Sequence, residues 1–296
     1  MDQRSSDPKH HPEGIAVALG GGIGRGWVHI GVLRALDECR IPIHTIAGTS
    51  IGAIVAGAYL AGKLDELEAF ARAATWRRMF GLFDLRWGGQ GLVTGAKIDR
   101  LLRASLGNMQ IGDLDRPFIA TATSLPGGEE VWITAGSLVL AMRASYAVPG
   151  IFEPVSWGHR TLVDGALTAP LPVKACRMHS PCPVVGVTLS GDPGFKEVVI
   201  EEAAVDPDPA RAYEASGVEA GGGQLGFGGV ILRSFAVLQD QIVHSMMVSS
   251  PPDMLLAPPT ESIGLLDFHR ADESIAIGYE TTMAHRDELR AYAAAK

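Results

Sequence analysis

Ser50 lies in Gly48-Thr49-Ser50-Ile51-Gly52, between an apolar segment over residues 43–47 and a helix-like segment over 51–60. A Gly-x-Ser-x-Gly at a strand-to-helix turn is a nucleophile elbow. Gly48 and Gly52 let backbones pass close together, and the sharp turn lifts the serine hydroxyl out of the sheet. The pattern alone is loose in a chain with 36 glycines among 296 residues; the strand, turn and helix around it make it chemistry. A serine hydroxyl attacks only when a base takes its proton. His244, His269 and His285 follow Ser50, but each falls within or beside a helical stretch. Asp164 instead ends the short apolar strand 161–163 and precedes Gly165, where catalytic groups of parallel sheets gather. Direct acceptance from Ser50 by Asp164 makes a two-residue dyad. At its ordinary pKa of about 3.9 the carboxylate is ionised but weakly basic, so the reaction needs electrostatic help from elsewhere.

That help is available in Gly20-Gly21-Gly22-Ile23-Gly24-Arg25-Gly26, which joins an apolar strand over 14–19 to a helical pattern over 27–39. A glycine loop opening a helix aims backbone N–H groups at one spot, with the positive helix end behind them, and so stabilises an anion. A dinucleotide loop requires G-x-G-x-x-G, yet the sixth residue is Arg25 counted from Gly20 and Trp27 counted from Gly22. A phosphate loop requires Gly-Lys-Ser/Thr, yet Trp27 and Val28 follow Gly26. Both nucleotide readings fail on register. The oxyanion of acyl transfer remains.

The elements that position these residues begin with two strand-turn-helix units, 14–39 and 43–60, whose short connections imply parallel strands and right-handed crossovers. Helices are expected over 64–74 and 96–106, a hairpin from 118–123 and 130–134 turning at Pro126-Gly127-Gly128, and a helix over 136–146. A buried strand follows at 184–189, then helices over 231–248 and 274–294 flanking a last strand at 254–257. The fold class is a three-layer α/β/α arrangement with a central, mainly parallel sheet. Residues 1–13 read as a polar disordered tail and 14–296 as a single catalytic domain. The acidic, glycine-rich stretch 191–229 reads as a surface insertion that could gate the site. Residues 76–87, dense in aromatic and cationic groups, suit either a lid filling the core or a peripheral dip into lipid headgroups.

Composition narrows the function classes. A formal charge of −8 and the absence of a Lys/Arg run argue against nucleic acid. Cys39, Cys176 and Cys182 form neither a disulfide framework nor a thiolate metal set, which points to a reducing, cytoplasmic setting. No segment reaches the ~18 continuous apolar residues of a membrane span, so membrane contact is expected to be peripheral.

In this order, Gly20 to Gly26, Gly48 to Gly52 and Asp164-Gly165-Ala166 resemble the patatin-like phospholipase family. The stretches around Arg143 to Phe152 and Leu162 to Val173 resemble its bacterial members. The likeness is strongest over residues 14–189 and extends weakly to the motif Gly264 to His269. It implies a Ser-Asp dyad lipid acyl hydrolase that uses no metal or cofactor. Carried over by position, Ser50 is the nucleophile and Asp164 the base, and the N–H groups of Gly21, Gly22 and Ile23 form the oxyanion hole. Arg25 fills the family's basic position beside it, with local carbonyl capping as its alternative role. The chain departs from the family pattern in placing β-branched Ile23 where a third glycine is expected, Ala166 after the Asp-Gly, and Ala169 where asparagine is common.

The expected activity is cleavage of a carboxylic ester in a phospholipid, a lysolipid or a related lipid. The rivals are a soluble esterase or thioesterase acting on small acyl groups and a catalytically weak lipid-binding protein on the same fold. Headgroup, chain length and oligomeric state are left open.

Overall fold

The computed structural model describes residues 13–75, 91–190 and 227–294. In chain order the elements are β1 (Ile15–Leu19), α1 (Val28–Glu38), β2 (Ile43–Thr49), α2 (Ile51–Leu60), α3 (Leu64–Arg72), β3 (Gly91–Val93) and α4 (Ala96–Leu106). Next come β4 (Phe118–Leu125), β5 (Glu129–Ile133), α5 (Leu138–Ser145), β6 (Gly150–Phe152), β7 (Val155–Trp157) and β8 (Arg160–Asp164). The chain continues with α6 (Val173–His179), β9 (Val184–Val187), α7 (Phe227–Ser249), β10 (Met254–Leu256), α8 (Ala271–Ala284) and α9 (Arg286–Ala294).

Among the described residues the main sheet has the order β10-β9-β1-β2-β4-β8-β7, with β5 pairing β4 as well, while β3 and β6 form a separate pair. The strands from β10 to β4 are parallel, and β5, β7 and β8 run antiparallel to their neighbours. The strand β1 is buried along its whole length, as expected of a central parallel strand covered on both faces. Its residues alternate. Ile15, Val17 and Leu19 pack with apolar side chains of α1, α2, α5, α8 and α9. Ala16 and Ala18 point the other way, toward α6 and Val243 of α7. Large side chains face the thick helical layer and alanines the thin one, giving the three layers expected.

The C-terminal third is built into this core. Helix α8 packs along α1 so tightly that a Cβ on Gly31 would stand 1.9 Å from the carbonyl oxygen of Ile275, so only glycine fits there. Two expectations change. The single helix over 274–294 is two, α8 and α9, broken at His285, whose ring Nδ1 meets the Thr281 carbonyl. The last residues of the 191–229 insertion, 227–229, already belong to α7. Strands β3, β6 and β7 and helix α6 went unread because three- to seven-residue elements are too short for periodicity to show. Residues 76–87, the insertion over 191–226 and the tail up to residue 12 lie outside the described residues.

Candidate active site

Register on β4 brings the two chemical side chains together. Thr49 of β2 pairs with Thr121, and Asp164 of β8 pairs with Ala122, the next residue along β4. Because β2 runs parallel and β8 antiparallel to β4, their carboxyl ends converge on that point. Asp164 was expected at a strand's carboxyl end and stands there, but the strand runs antiparallel to β4, and the head-to-head meeting with β2 is what aims it at Ser50. The Ser50 Oγ–H donates to Asp164 Oδ2 at 2.7 Å, and the Ala166 N–H donates to Asp164 Oδ1 at 2.8 Å. Asp164 is fully buried and Ser50 nearly so.

Threonines tie the strands beneath this pair. Thr49 O–H donates to the Ala169 carbonyl at 2.7 Å, so the 2.6 Å contact between Thr49 and Thr121 carries the Thr121 proton. Thr123 O–H donates to the backbone carbonyl of Asp164. At the elbow Ser50 has φ 56° and ψ −121°, a conformation that favours glycine, and α2 begins at the next residue. Its N–H donates to Ser145 Oγ of α5 at 2.9 Å. The flanking glycines are there for close approach. A Cβ on Gly52 would stand 2.4 Å from the Leu19 carbonyl oxygen, and one on Gly48 would strike the backbone of Ala53.

The glycine loop at the end of β1 is strapped to the C-terminal segment. Gly24 N–H donates to the Leu265 carbonyl at 2.8 Å, the Arg25 Nε–H to that of Ile263 at 2.8 Å, and the Trp27 indole N–H to that of Phe268 at 3.1 Å. The motif over 264–269 is therefore the buttress of the loop. From α1, fully buried His29 donates through Nε2 to the Gly20 carbonyl at 2.8 Å. Burial pushes its imidazole pKa down to about 4, which keeps it neutral.

Two of the expected oxyanion groups make other hydrogen bonds in this geometry. The Gly21 N–H is already given to the Pro170 carbonyl at 2.9 Å. Arg25 directs its guanidinium at the carbonyls of Ile263 and Leu189 and its N–H at that of Gly22, which is the capping role. Among the described residues the N–H groups of Gly22 and Ile23 have no acceptor, and Ile23 takes the positive φ, 51°, that the sequence asked of a glycine. Gly165 directly follows the Asp164 carboxylate and packs on Thr121.

Desolvation raises the Asp164 carboxyl from 3.8 to about 7, outweighing the lowering by the Ala166 N–H and the Ser50 hydroxyl. A carboxylate raised into this range has the basicity that proton transfer at neutral pH favours. We expect kcat/KM for ester cleavage to rise with pH through a midpoint of about 7, because the ionised form is the acceptor. A midpoint of about 4, the value of an unperturbed carboxyl, would show that burial does not tune this group.

Ser50 lines a cavity of about 320 Å³. It follows one face of α2 through Ile51, Ile54 and Ala58, and is walled by side chains including Leu67 and Phe70 of α3 and Leu102 and Leu106 of α4. Its polar lining includes Glu66, which is paired with Lys63 and accepts from Ser105. The supporting residues Thr49, Thr121, Thr123, Ser145 and His29 were not singled out from the sequence. The one signal they left is a polar residue inside an otherwise apolar strand or helix.

Among the described residues no group of three or more His, Cys, Asp or Glu is placed to hold a metal ion, and no helix is long and apolar enough to cross a membrane. The sequence model of one family, described as patatin-like phospholipase, matches residues 17–177. An NTE family protein of Mycobacterium tuberculosis, described as uncharacterized, is 30% identical over an alignment covering 93% of this chain and 90% of its own. Lysophospholipase NTE1 of Coccidioides immitis is 28% identical over 93% of this chain, which spans only 18% of that protein. Among solved structures, VipD from Legionella pneumophila aligns with a TM-score of 0.46 at 12% identity, covering 94% of this chain and 67% of its own.

Proposed function

The chain belongs to the patatin-like phospholipase family, whose members are lipid ester hydrolases, and on that premise we propose that it cleaves the carboxylic ester of a single-chain lipid such as a lysophospholipid. The observation that carries the reading is the buried 2.7 Å hydrogen bond from Ser50, which lines an apolar cavity, to Asp164. A cavity of about 320 Å³ with a largely apolar lining suits an acyl chain. The name of the fungal relative, a lysophospholipase, supports the same class.

In this reading Ser50 Oγ attacks the ester carbonyl carbon while its proton passes to Asp164 Oδ2. The carbonyl electron pair moves onto oxygen, within reach of the Gly22 and Ile23 N–H groups. Collapse breaks the bond to the leaving alcohol, which takes the proton from Asp164. Water then attacks the acyl-enzyme by the same route and releases the fatty acid.

The test compares p-nitrophenyl decanoate with p-nitrophenyl acetate, in the wild type and in Ile54→Trp, which fills the cavity beside Ser50. Each buried methylene contributes about 0.8 kcal/mol, so full burial of the longer chain would favour the decanoate by on the order of 10⁴-fold in kcat/KM, and burial of half of it by on the order of 10²-fold. The substitution should remove most of that lead and spare the acetate. A wild type that cleaves neither ester sinks the reading. One that prefers acetate moves the assignment to a soluble esterase.

A further inference from the structure

Helix α7 turns Phe235, Gln239 and Val243, spaced i, i+4 and i+8, toward the sheet. Phe235 packs with Val148 and Ala166, and Val243 with Ala16 and Ala18. Gln239, between them, is only 8% exposed, yet among the described residues its amide has no hydrogen-bond partner. Its amide atoms are not among the fully buried polar atoms without a partner, so the unpaired end keeps a little accessible surface, and a polar tip within an apolar stripe calls for a reason. Its position supplies one. A Cβ placed on Gly21 would stand 3.7 Å from Gln239 Oε1 and 3.8 Å from Ser50 Cβ, so the amide and the nucleophile flank the same point of the glycine loop. With Gly21 N–H spent on Pro170, that loop is also one backbone donor short.

We propose that Gln239 completes the oxyanion hole, its Nε2–H donating to the substrate carbonyl oxygen as that oxygen takes up charge. The assignment rests on the acyl-hydrolase reading and goes beyond the matched residues 17–177, since the donor comes from α7. A half-turn of the side-chain amide exchanges Oε1 and Nε2, and no partner holds it in one orientation. The amide needs no acceptor before the reaction because the reaction creates one. Such preorganised donors act on the developing charge rather than on the bound ester.

The closing experiment measures kcat, KM and melting temperature for Gln239→Leu and Gln239→Glu with p-nitrophenyl decanoate. Leu removes the amide and keeps the stripe apolar. Its kcat should fall on the order of 10²-fold, with KM nearly unchanged and the melting temperature equal or higher. A purely structural amide would show the opposite, a lower melting temperature with kcat kept. In Gln239→Glu a charged carboxylate repels the oxyanion, whereas a protonated one donates to it. The ratio of its kcat to that of the wild type should therefore rise as pH falls, whatever Asp164 contributes to both. An unchanged kcat in the Leu variant, or a ratio flat with pH in the Glu variant, overturns the assignment alone. A wild type without esterase activity overturns the hydrolase reading and the assignment together.

Discussion

Asp164→Asn will abolish ester hydrolysis and at the same time make the protein more stable at about pH 8, above the titration of the buried carboxyl. Loss of the base should lower kcat on the order of 10⁴-fold, the scale on which members of a catalytic unit act. The stability gain follows from burial. Asp164 is fully buried, and its carboxyl is held at about 7 in the fold against 3.8 ordinarily. Between those values the folded chain binds one proton more than the unfolded chain, so stability falls as pH rises across that window and stays at the lower level above it. Asparagine keeps the shape and carries no charge at any of these pH values. The advantage of the variant should thus grow from near zero at about pH 4 to a plateau on the order of 4 kcal/mol above pH 7, at about 1.4 kcal/mol per unit of raised pKa.

The difference between the two proteins must be measured, because His29 bends the raw curve the other way. Its imidazole is lowered from 6.5 to about 4, so the unfolded chain binds the extra proton in that window and stability rises with pH there. Asp164 and His29 therefore oppose each other over much of the same range, and subtraction cancels His29. Urea midpoints of wild type and Asp164→Asn across this range provide the readout. A gap that does not change with pH would show that Asp164 is not a buried charge.

What could be read from the sequence was what local chemistry encodes. The strand, glycine loop and helix at 14–39, the elbow at Ser50 and the Asp164-Gly165 turn each lie within a few consecutive residues, and each stands where it was expected. What escaped depends on partners far away in the chain. Nothing near Gly21 reveals that its N–H is taken by Pro170, and nothing near Arg25 points to the carbonyls of Leu189 and Ile263. The direction of β8 is settled on β4, through the pairing of Asp164 with Ala122. The raised pKa of Asp164 is likewise tertiary, since desolvation by the surrounding layers is its largest cause.

Ser50→Gly and Ser50→Ala should both be inactive and take no fluorophosphonate label, yet the glycine variant should be the more stable of the two. Wild-type Ser50 is held at φ 56° and ψ −121°, where a Cβ is strained by roughly 1–3 kcal/mol. Both variants remove the hydroxyl that donates to Asp164 Oδ2 and so expose the carboxylate to the same loss. They differ in the Cβ that alanine keeps. Glycine gains back the strain and gives up about 0.4–1 kcal/mol through its freer unfolded chain, which leaves a net gain on the order of 1–2 kcal/mol at the urea midpoint. An alanine variant as stable as the glycine one would mean that the elbow is relaxed. The strain has a function only where the hydroxyl is needed. The turn that costs stability is the one that projects Oγ toward Asp164 and leaves the Ser50 N–H on Ser145. Ile23, at φ 51°, repeats the pattern across the site, a β-branched residue held where glycine would rest, with its N–H left open. Backbone strain and a buried carboxylate thus meet in one small volume, and each should be relieved by a substitution that ends catalysis.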